Sequence, residues 1–280
     1  MNRDARQEIR LPARITTRNA TFQQWHALLA NRSRRYRARA FVVQGVRPIT
    51  LALNNRWPIH ALIQDLDRPL SSWAKGMLDR ADGRVVGMSS DLIAELGGKD
   101  DIAPELLLIA EMPADDLERI PVGPSFLGAV FDRPTAPGNI GTLLRSMDAF
   151  DGSGLIVTGH AADLYDPKSV RASTGSFFSV PAVRVPSHRE VLGWVDGARH
   201  AGTPVAIIGT DETGEIDLRD CDLTGPSLIL IGNETVGLSA GWRESCDQLV
   251  RIPIAGTASS LNAANAAAIV LYEASRQRAG

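Results

Sequence analysis

Three short stretches of this chain gather residues able to do chemistry where apolar runs end. In Phe131-Asp132-Arg133-Pro134-Thr135-Ala136-Pro137-Gly138-Asn139-Ile140-Gly141-Thr142-Leu143-Leu144-Arg145 a strand end passes through a Pro/Gly loop into a helix start. Backbone N–H groups at such a start favour anions, and the spacing predicts Asn139 as the cap. Gly232-Asn233-Glu234-Thr235-Val236-Gly237-Leu238-Ser239 follows the apolar run Ser227 to Ile231. Ile252-Pro253-Ile254-Ala255-Gly256-Thr257-Ala258-Ser259-Ser260-Leu261-Asn262 leads into a long helix, with both serines suited to capping it and Asn262 expected one step inside. A guanidinium, a carboxylate, two amides and a hydroxyl can hold an anion, orient a hydroxyl group and stabilise developing charge. Each residue also has a plainer reading. Asn139 and the serines could be caps only, Arg145 a surface partner of Asp148, and Glu234 a solvent-facing turn residue.

Such residues need a scaffold that brings distant segments together. In the second half, strand candidates lie at Phe126 to Phe131, Leu155 to Thr158, Val180 to Val185, Pro204 to Gly209, Ser227 to Ile231 and Leu249 to Ile252. Helices fit between them at 139–150, 166–173, 187–202, 238–246 and 259–278. This alternation predicts an α/β fold, a mostly parallel sheet with helices on both faces, whose carboxyl edge is where ligands bind. The first half reads as a smaller α/β domain. A helix is expected from a cap at Thr21, then strand-like Ala40 to Val43, a helix over Val46 to Leu53, and apolar runs at Ile59 to Ile63, Arg84 to Val86 and Leu106 to Ile109. The prolines at 113, 121 and 124 place the boundary near 112–124, giving a flexible basic segment 1–20 and domains 21–115 and 116–280.

Composition narrows the class. The 280 residues are 44% hydrophobic and 22% charged with a net charge of −2, as expected of a folded, cytoplasmic protein with no membrane span or signal peptide. Cys221 and Cys246 have no zinc or disulfide pattern, and the five histidines form no cluster, so no metal is expected. Charge is unevenly spread: residues 1–40 hold ten arginines against Asp4 and Glu8. Five of them, Arg32, Arg34, Arg35, Arg37 and Arg39, surround Tyr36, a pattern that favours RNA contact over a solvated linker. Gly138-x-x-Gly141 lacks the complete dinucleotide fingerprint, which disfavours an oxidoreductase.

In this order the three motifs resemble those of the SpoU/TrmH-type branch of the SPOUT RNA methyltransferases, over roughly Phe126 to Glu273. More weakly, Arg34-Arg35-Tyr36-Arg37-Ala38-Arg39-Ala40-Phe41-Val42-Val43-Gln44-Gly45-Val46 resembles the start of the substrate-binding domain of that family, whose fold is similar to ribosomal protein L30e. The resemblance implies a trefoil knot in the carboxyl-terminal domain, a homodimer with sites at the subunit interface, and S-adenosylmethionine as cofactor. It further implies methylation of a ribose 2′-hydroxyl, with 23S ribosomal RNA favoured. A transfer RNA 2′-O-methyltransferase and a noncatalytic RNA-binding protein on the same fold are the alternatives.

By the same resemblance Arg145, Asn139, Glu234, Ser260 and Asn262 are catalytic, and Thr210, Gly209, Ile231, Gly232, Ile252 and Leu261 hold the cofactor. Arg171 joins the amino-terminal arginines as an RNA contact, and Ser169 and Ser173 either touch RNA or support the site residues from behind. Gln44, Thr235 and Ala263-Ala264-Asn265 depart from the usual family residues without removing a catalytic candidate. The family role for Arg145 is the base that takes the 2′-hydroxyl proton. An arginine pKa above about 12 opposes this, so a second role, clamping phosphate and stabilising the ribose oxygen, stands beside it.

Overall fold

The computed structural model describes residues 14–81, 84–98 and 103–279. The arginines at 3, 6 and 10 and the expected flexibility of residues 1–13 lie outside them. The chain divides into two compact units, Met1–Met112 and Pro113–Gly280.

The first unit runs β1 (Arg14–Ile15), α1 (Ala20–Ala30), α2 (Arg32–Ala38), β2 (Ala40–Gln44), α3 (Val46–Asn54), β3 (Ile59–Asp65), α4 (Ser72–Leu78), β4 (Val85–Met88), α5 (Ser90–Gly97) and β5 (Leu106–Glu111). Its sheet is mixed, in the order β1-β4-β3-β5-β2, with β5 antiparallel to both neighbours. β2, β3 and β5 are nearly continuous apolar runs, and Phe41, Val43, Leu62, Ile63 and Leu107 to Ala110 are fully buried. Each such aliphatic side chain stabilises the fold by about 1.5–3 kcal/mol relative to exposure.

Two expectations change here, and one segment gains an element. Arg14–Ile15 is ordered, pairing in parallel with β4 and placing Ile15 in the core beside Phe22 and Trp25. Two residues are too few for any periodicity to mark. α1 is capped by Asn19, which accepts from Phe22 N at 2.9 Å, and not by Thr21. The basic run, given no element by its spacing, forms a helix: Asn31 caps α2 by accepting from Arg34 N.

The second unit runs β6 (Leu127–Asp132), α6 (Pro137–Ala149), β7 (Gly154–Thr158), α7 (Pro167–Ala172), β8 (Ala182–Val185), α8 (His188–His200), β9 (Ala206–Thr210), β10 (Ile216–Asp217), β11 (Ser227–Ile231), α9 (Ala240–Ser245), β12 (Gln248–Arg251) and α10 (Ala263–Arg278). All pairs in its sheet are parallel, in the order β10-β12-β9-β11-β6-β7-β8. Every residue of β6, β7 and β11 is buried, so both faces of the sheet centre are covered.

Order and register position the site. The chain leaves β6 toward β7 and β8, then returns to lay β9 two places away on the other side, and β11 later fills the gap. Ligands of open α/β sheets bind where the strand order reverses in this way. Phe131 pairs with Ile231, Leu230 with Gly209, and Val250 with Thr210. Four loops therefore leave the same carboxyl edge side by side. α6 comes close to α7 because residue 141 is glycine; a Cβ there would lie 2.1 Å from Ser169 O. That close approach explains Gly141 without a dinucleotide.

Candidate active site

The second motif is built by its own amides. Asn233 and Gly237 exchange backbone bonds of 3.0 Å each, and the Asn233 side chain accepts from Thr235 N and Val236 N while donating to Arg133 O at 2.6 Å. Gly232 admits no side chain, since a Cβ would lie 2.5 Å from Gly237 C. From behind, Asp132, 3% exposed, accepts from Ser239 N at 2.8 Å and from Thr158 Oγ1 at 3.2 Å. Arg133, in the left-handed region, bonds Asp132 with one nitrogen and Gly237 O with another.

This tight loop aims Glu234 back at the first motif. Its Oε2 accepts from Thr135 N and Thr135 Oγ1, both at 3.0 Å, and Oε1 from Ala136 N at 3.2 Å and Asn139 Nδ2 at 3.0 Å. Burial pushes the carboxyl pKa up, but the donors from Thr135, Asn139 and Ala136 outweigh it and hold Glu234 below the usual carboxylate range. Asn139 Oδ1 in turn accepts from Asn262 Nδ2 at 3.1 Å. Asn262 Oδ1 completes the line by accepting from Ala264 N and Asn265 N. One polar chain thus joins the three motifs across 123 residues of sequence.

Both capping expectations are corrected by this geometry. α6 starts at Pro137 after Ala136, so Asn139 lies within its first turn, where its amide is free to bridge Glu234 and Asn262. Asn262, not Ser259 or Ser260, is the cap of α10. Proline at the first helical position needs no N–H donor and moves the start of α6 two residues upstream.

Beside the network lies a cleft of about 540 Å³. Thr210, Ile231, Gly232, Glu234, Ile252, Ser260 and Leu261 line it, with Val250 and Ile254 adding apolar surface. Gly209 lies beneath rather than on the lining: a Cβ there would strike Cys246 Sγ at 2.6 Å and Leu249. Burial pushes the Cys246 thiol up to about 11, so it stays protonated and serves as packing. The sequence reading missed Asp211, Thr213 and Arg243. Arg243 pairs with Asp211 Oδ2 and donates to Thr213 Oγ1 at 3.2 Å, tying α9 to the loop after β9 at the cleft wall. Only the position of Asp211 directly after a strand could have signalled it.

Arg145 is not brought to this cleft. It is exposed on α6, its side chain makes no ion pair or hydrogen bond among the described residues, and Asp148 instead accepts from Ser176 Oγ at 2.7 Å. Arg171 is exposed, whereas Ser169 and Ser173 are fully buried where α7 meets α6 and cannot touch RNA. In the first unit Arg34 and Arg37 are exposed, and Arg32 stacks over Tyr36 at 5.4 Å. Arg35 departs from expectation: it is 2% exposed, and its guanidinium donates to Leu28 O at 2.6 Å and Leu29 O at 3.3 Å, serving the end of α1 rather than a ligand. Arg39 is exposed but spends one nitrogen on Met112 O. No group of three or more potential metal ligands occurs among the described residues, and no helix among them is long and apolar enough to cross a membrane.

A parallel sheet with a mixed apolar and acidic cleft at its strand-order reversal defines an α/β protein built to hold a nucleotide-like ligand. The particular group is now plain: the chain belongs to the SpoU rRNA Methylase family, whose model matches residues 127–272, and the SpoU L30e-like domain model matches residues 19–108. It is 59% identical over 271 residues to the 23S rRNA (uridine(2479)-2′-O)-methyltransferase of Streptomyces viridochromogenes, covering 96% of this chain and 94% of that protein. It is also similar to the crystal structure of the SpoU methyltransferase AviRb from Streptomyces viridochromogenes in complex with AdoMet. There the TM-score is 0.90 at 59% identity, over 94% of this chain and 99% of that one. An AdoMet-bound rRNA methyltransferase from Sinorhizobium meliloti gives a TM-score of 0.83 at 29% identity, over 94% and 97%.

Proposed function

We propose that this chain transfers a methyl group from S-adenosylmethionine to a ribose 2′-hydroxyl of 23S ribosomal RNA. The observation that carries the reading is the polar line Glu234–Asn139–Asn262, which fastens all three motifs around one cleft. The cleft suits the cofactor chemically: Ile231, Val250, Ile252 and Leu261 offer apolar walls for an adenine, and Asp211, Glu212 and Glu234 offer negative charge to a sulfonium or amine. When bound, that cofactor supplies an electrophilic methyl. The chain's own residues do the rest by position and charge.

Glu234 is satisfied by four donors and stays ionised, so it serves as an anchor rather than as a proton acceptor. It holds the 135–136 backbone and the Asn139 amide in place. Arg145 clamps RNA phosphate and stabilises negative charge growing on the ribose oxygen. Because Arg145 lies off the cleft on an exposed face, a homodimer would complete the site, one protomer presenting Arg145 to the cleft of the other. Exposed Val236, Ile254 and Leu261 on the motif loops, with Ile269 and Tyr272 on α10, supply apolar surface for that interface. The trefoil knot belongs to the same proposal: β11 enters between strands laid down earlier, and its outgoing loop and the 252–262 loop pass at the cleft.

The test is transfer of labelled methyl to unmodified 23S ribosomal RNA and, separately, transfer RNA, with Arg145→Ala as control. Label in 23S RNA that resists alkaline cleavage and disappears in the mutant is expected. Label in transfer RNA alone would move the substrate, and failure to bind the cofactor would end the enzyme reading.

A further inference from the structure

A second pocket lies wholly within the first unit and is lined by no residue of the arginine-rich helix. Its volume is about 420 Å³, and its walls are the turn after α3, the start of β3, the turn after α4 and Arg84 before β4. Arg56, Arg80 and Arg84 line it, and among the described residues no acidic one does. Arg84 is steadied by donating to Ile59 O at 3.1 Å. Arg56 and Arg80 have no side-chain partner among the described residues. Trp57, also in the wall, is fixed by its indole N–H, which donates to Glu111 O at 2.9 Å.

The backbone at Arg56 adds an independent observation. α3 ends in a Schellman motif: Trp57 N donates to Ala52 O at 2.8 Å and Arg56 N to Leu53 O at 3.2 Å. This motif puts residue 56 in the left-handed region, at φ 52°, where glycine is the usual occupant. The other two left-handed arginines, Arg39 and Arg133, each spend their guanidinium on a main-chain carbonyl. Arg56 bears the same strain without that return, which fits a side chain kept for a ligand.

We propose that this pocket takes a phosphate of the RNA substrate between Arg56, Arg80 and Arg84, with the adjoining nucleoside packed against Trp57. Three guanidinium groups with no acidic partner among the described residues offer forked donors matched to phosphate oxygens, and an aromatic wall suits an unstacked nucleoside. The proposal rests on RNA being the substrate and adds a grip outside both the cleft and the arginine-rich helix.

Arg56→Gly supplies the discriminating test, because glycine relieves the left-handed strain while deleting the guanidinium. In the full-length chain it should melt no lower than the wild type yet bind a 23S ribosomal RNA transcript more weakly. Combined with Arg80→Ala, the loss should reach about five- to twentyfold near physiological salt, and the slope of log K against log salt should shrink by about one to two. S-adenosylmethionine affinity, measured on the same samples, should not move. Unchanged RNA affinity and salt slope in the double variant would overturn the pocket assignment, even where the wild type methylates that RNA. Methyl transfer by the wild type tells this failure from failure of the reading it rests on: with transfer intact, unchanged binding in the double variant sinks the pocket alone, whereas a wild type that neither binds nor methylates the RNA sinks both.

Discussion

The two sheets of this molecule treat their polar residues in opposite ways. In the second unit every strand runs the same direction, so the loops after β6, β9, β11 and β12 leave one edge and meet. Glu234, Asn139 and Asn262 can therefore lock together although they belong to separate motifs. In the first unit β5 runs against its neighbours, and loops leave both edges. Its arginines are correspondingly dispersed, some exposed on α2 and some around the pocket beside α3. A parallel sheet concentrates a few groups into one preorganised site, and a mixed sheet spreads charge over a surface. Chemistry needs the first arrangement, and grip on a long polyanion needs the second.

The sharpest break of this contrast is removal of Arg145, the residue proposed to act at the ribose. Arg145→Ala should lower kcat for methyl transfer by about a hundred- to a thousandfold, with cofactor affinity unchanged by calorimetry. A rate within a few-fold of the wild type would deny Arg145 any part in the reaction. Glu234→Gln comes next. It removes an anion satisfied by four donors, so the second unit should lose about 1–2 kcal/mol in denaturant unfolding, discounted because the group is only half-buried. Its folded pKa lies below the ordinary value near about 4.3, so its stabilisation is present at neutral pH and fades as pH falls below that range. The acid-dependent part of the unfolding free energy should shrink in Glu234→Gln, and an unchanged pH profile would mean that the donors do not hold the carboxylate as drawn.

Much of this contrast was legible in the sequence. Apolar runs bounded by Pro and Gly located β2, β3, β5 to β9, β11 and β12, because buried strands leave a compositional trace whatever surrounds them. The three motifs were visible because each sits directly after such a run. What escaped depends on single side chains meeting distant backbone. Asn139 and Asn262 exchanged their expected roles, since a cap is defined by where a helix starts and Pro137 shifts that start upstream. Arg35 cannot be told from Arg34 or Arg37 by charge density; only the rotation of α2 decides that it turns inward to Leu28 O. The pocket arginines are spread over residues 56 to 84, and no spacing rule joins them.

Asn262 offers a finer test because its two atoms do different work. Asn262→Ala should cost about 1 kcal/mol of stability through the lost cap of α10. Asn262→Asp keeps an oxygen for Ala264 N and Asn265 N but takes away the N–H that Asn139 Oδ1 receives. The aspartate variant should therefore unfold like the wild type yet transfer methyl roughly tenfold more slowly, worth about 1.4 kcal/mol in the barrier. If stability and rate fall together in both variants, the bond to Asn139 has no role separate from the cap.

The smallest effect separates two kinds of arginine on one helix. Arg34 and Arg37 are exposed on α2, so Arg34→Ala with Arg37→Ala should weaken RNA binding only a few-fold. The salt slope should fall by about one to two, because each of the two phosphate contacts releases roughly one counterion. Arg35→Ala deletes a buried guanidinium and strands two carbonyls at the end of α1, which should cost about 1–3 kcal/mol in the first unit while leaving the salt slope intact. A slope that drops with Arg35→Ala, in protein shown to be folded by its melting curve, would mean that α2 turns to face RNA. The division between buried arginines that hold the fold and exposed ones that hold the ligand would then fail at the one place where both occur within four residues.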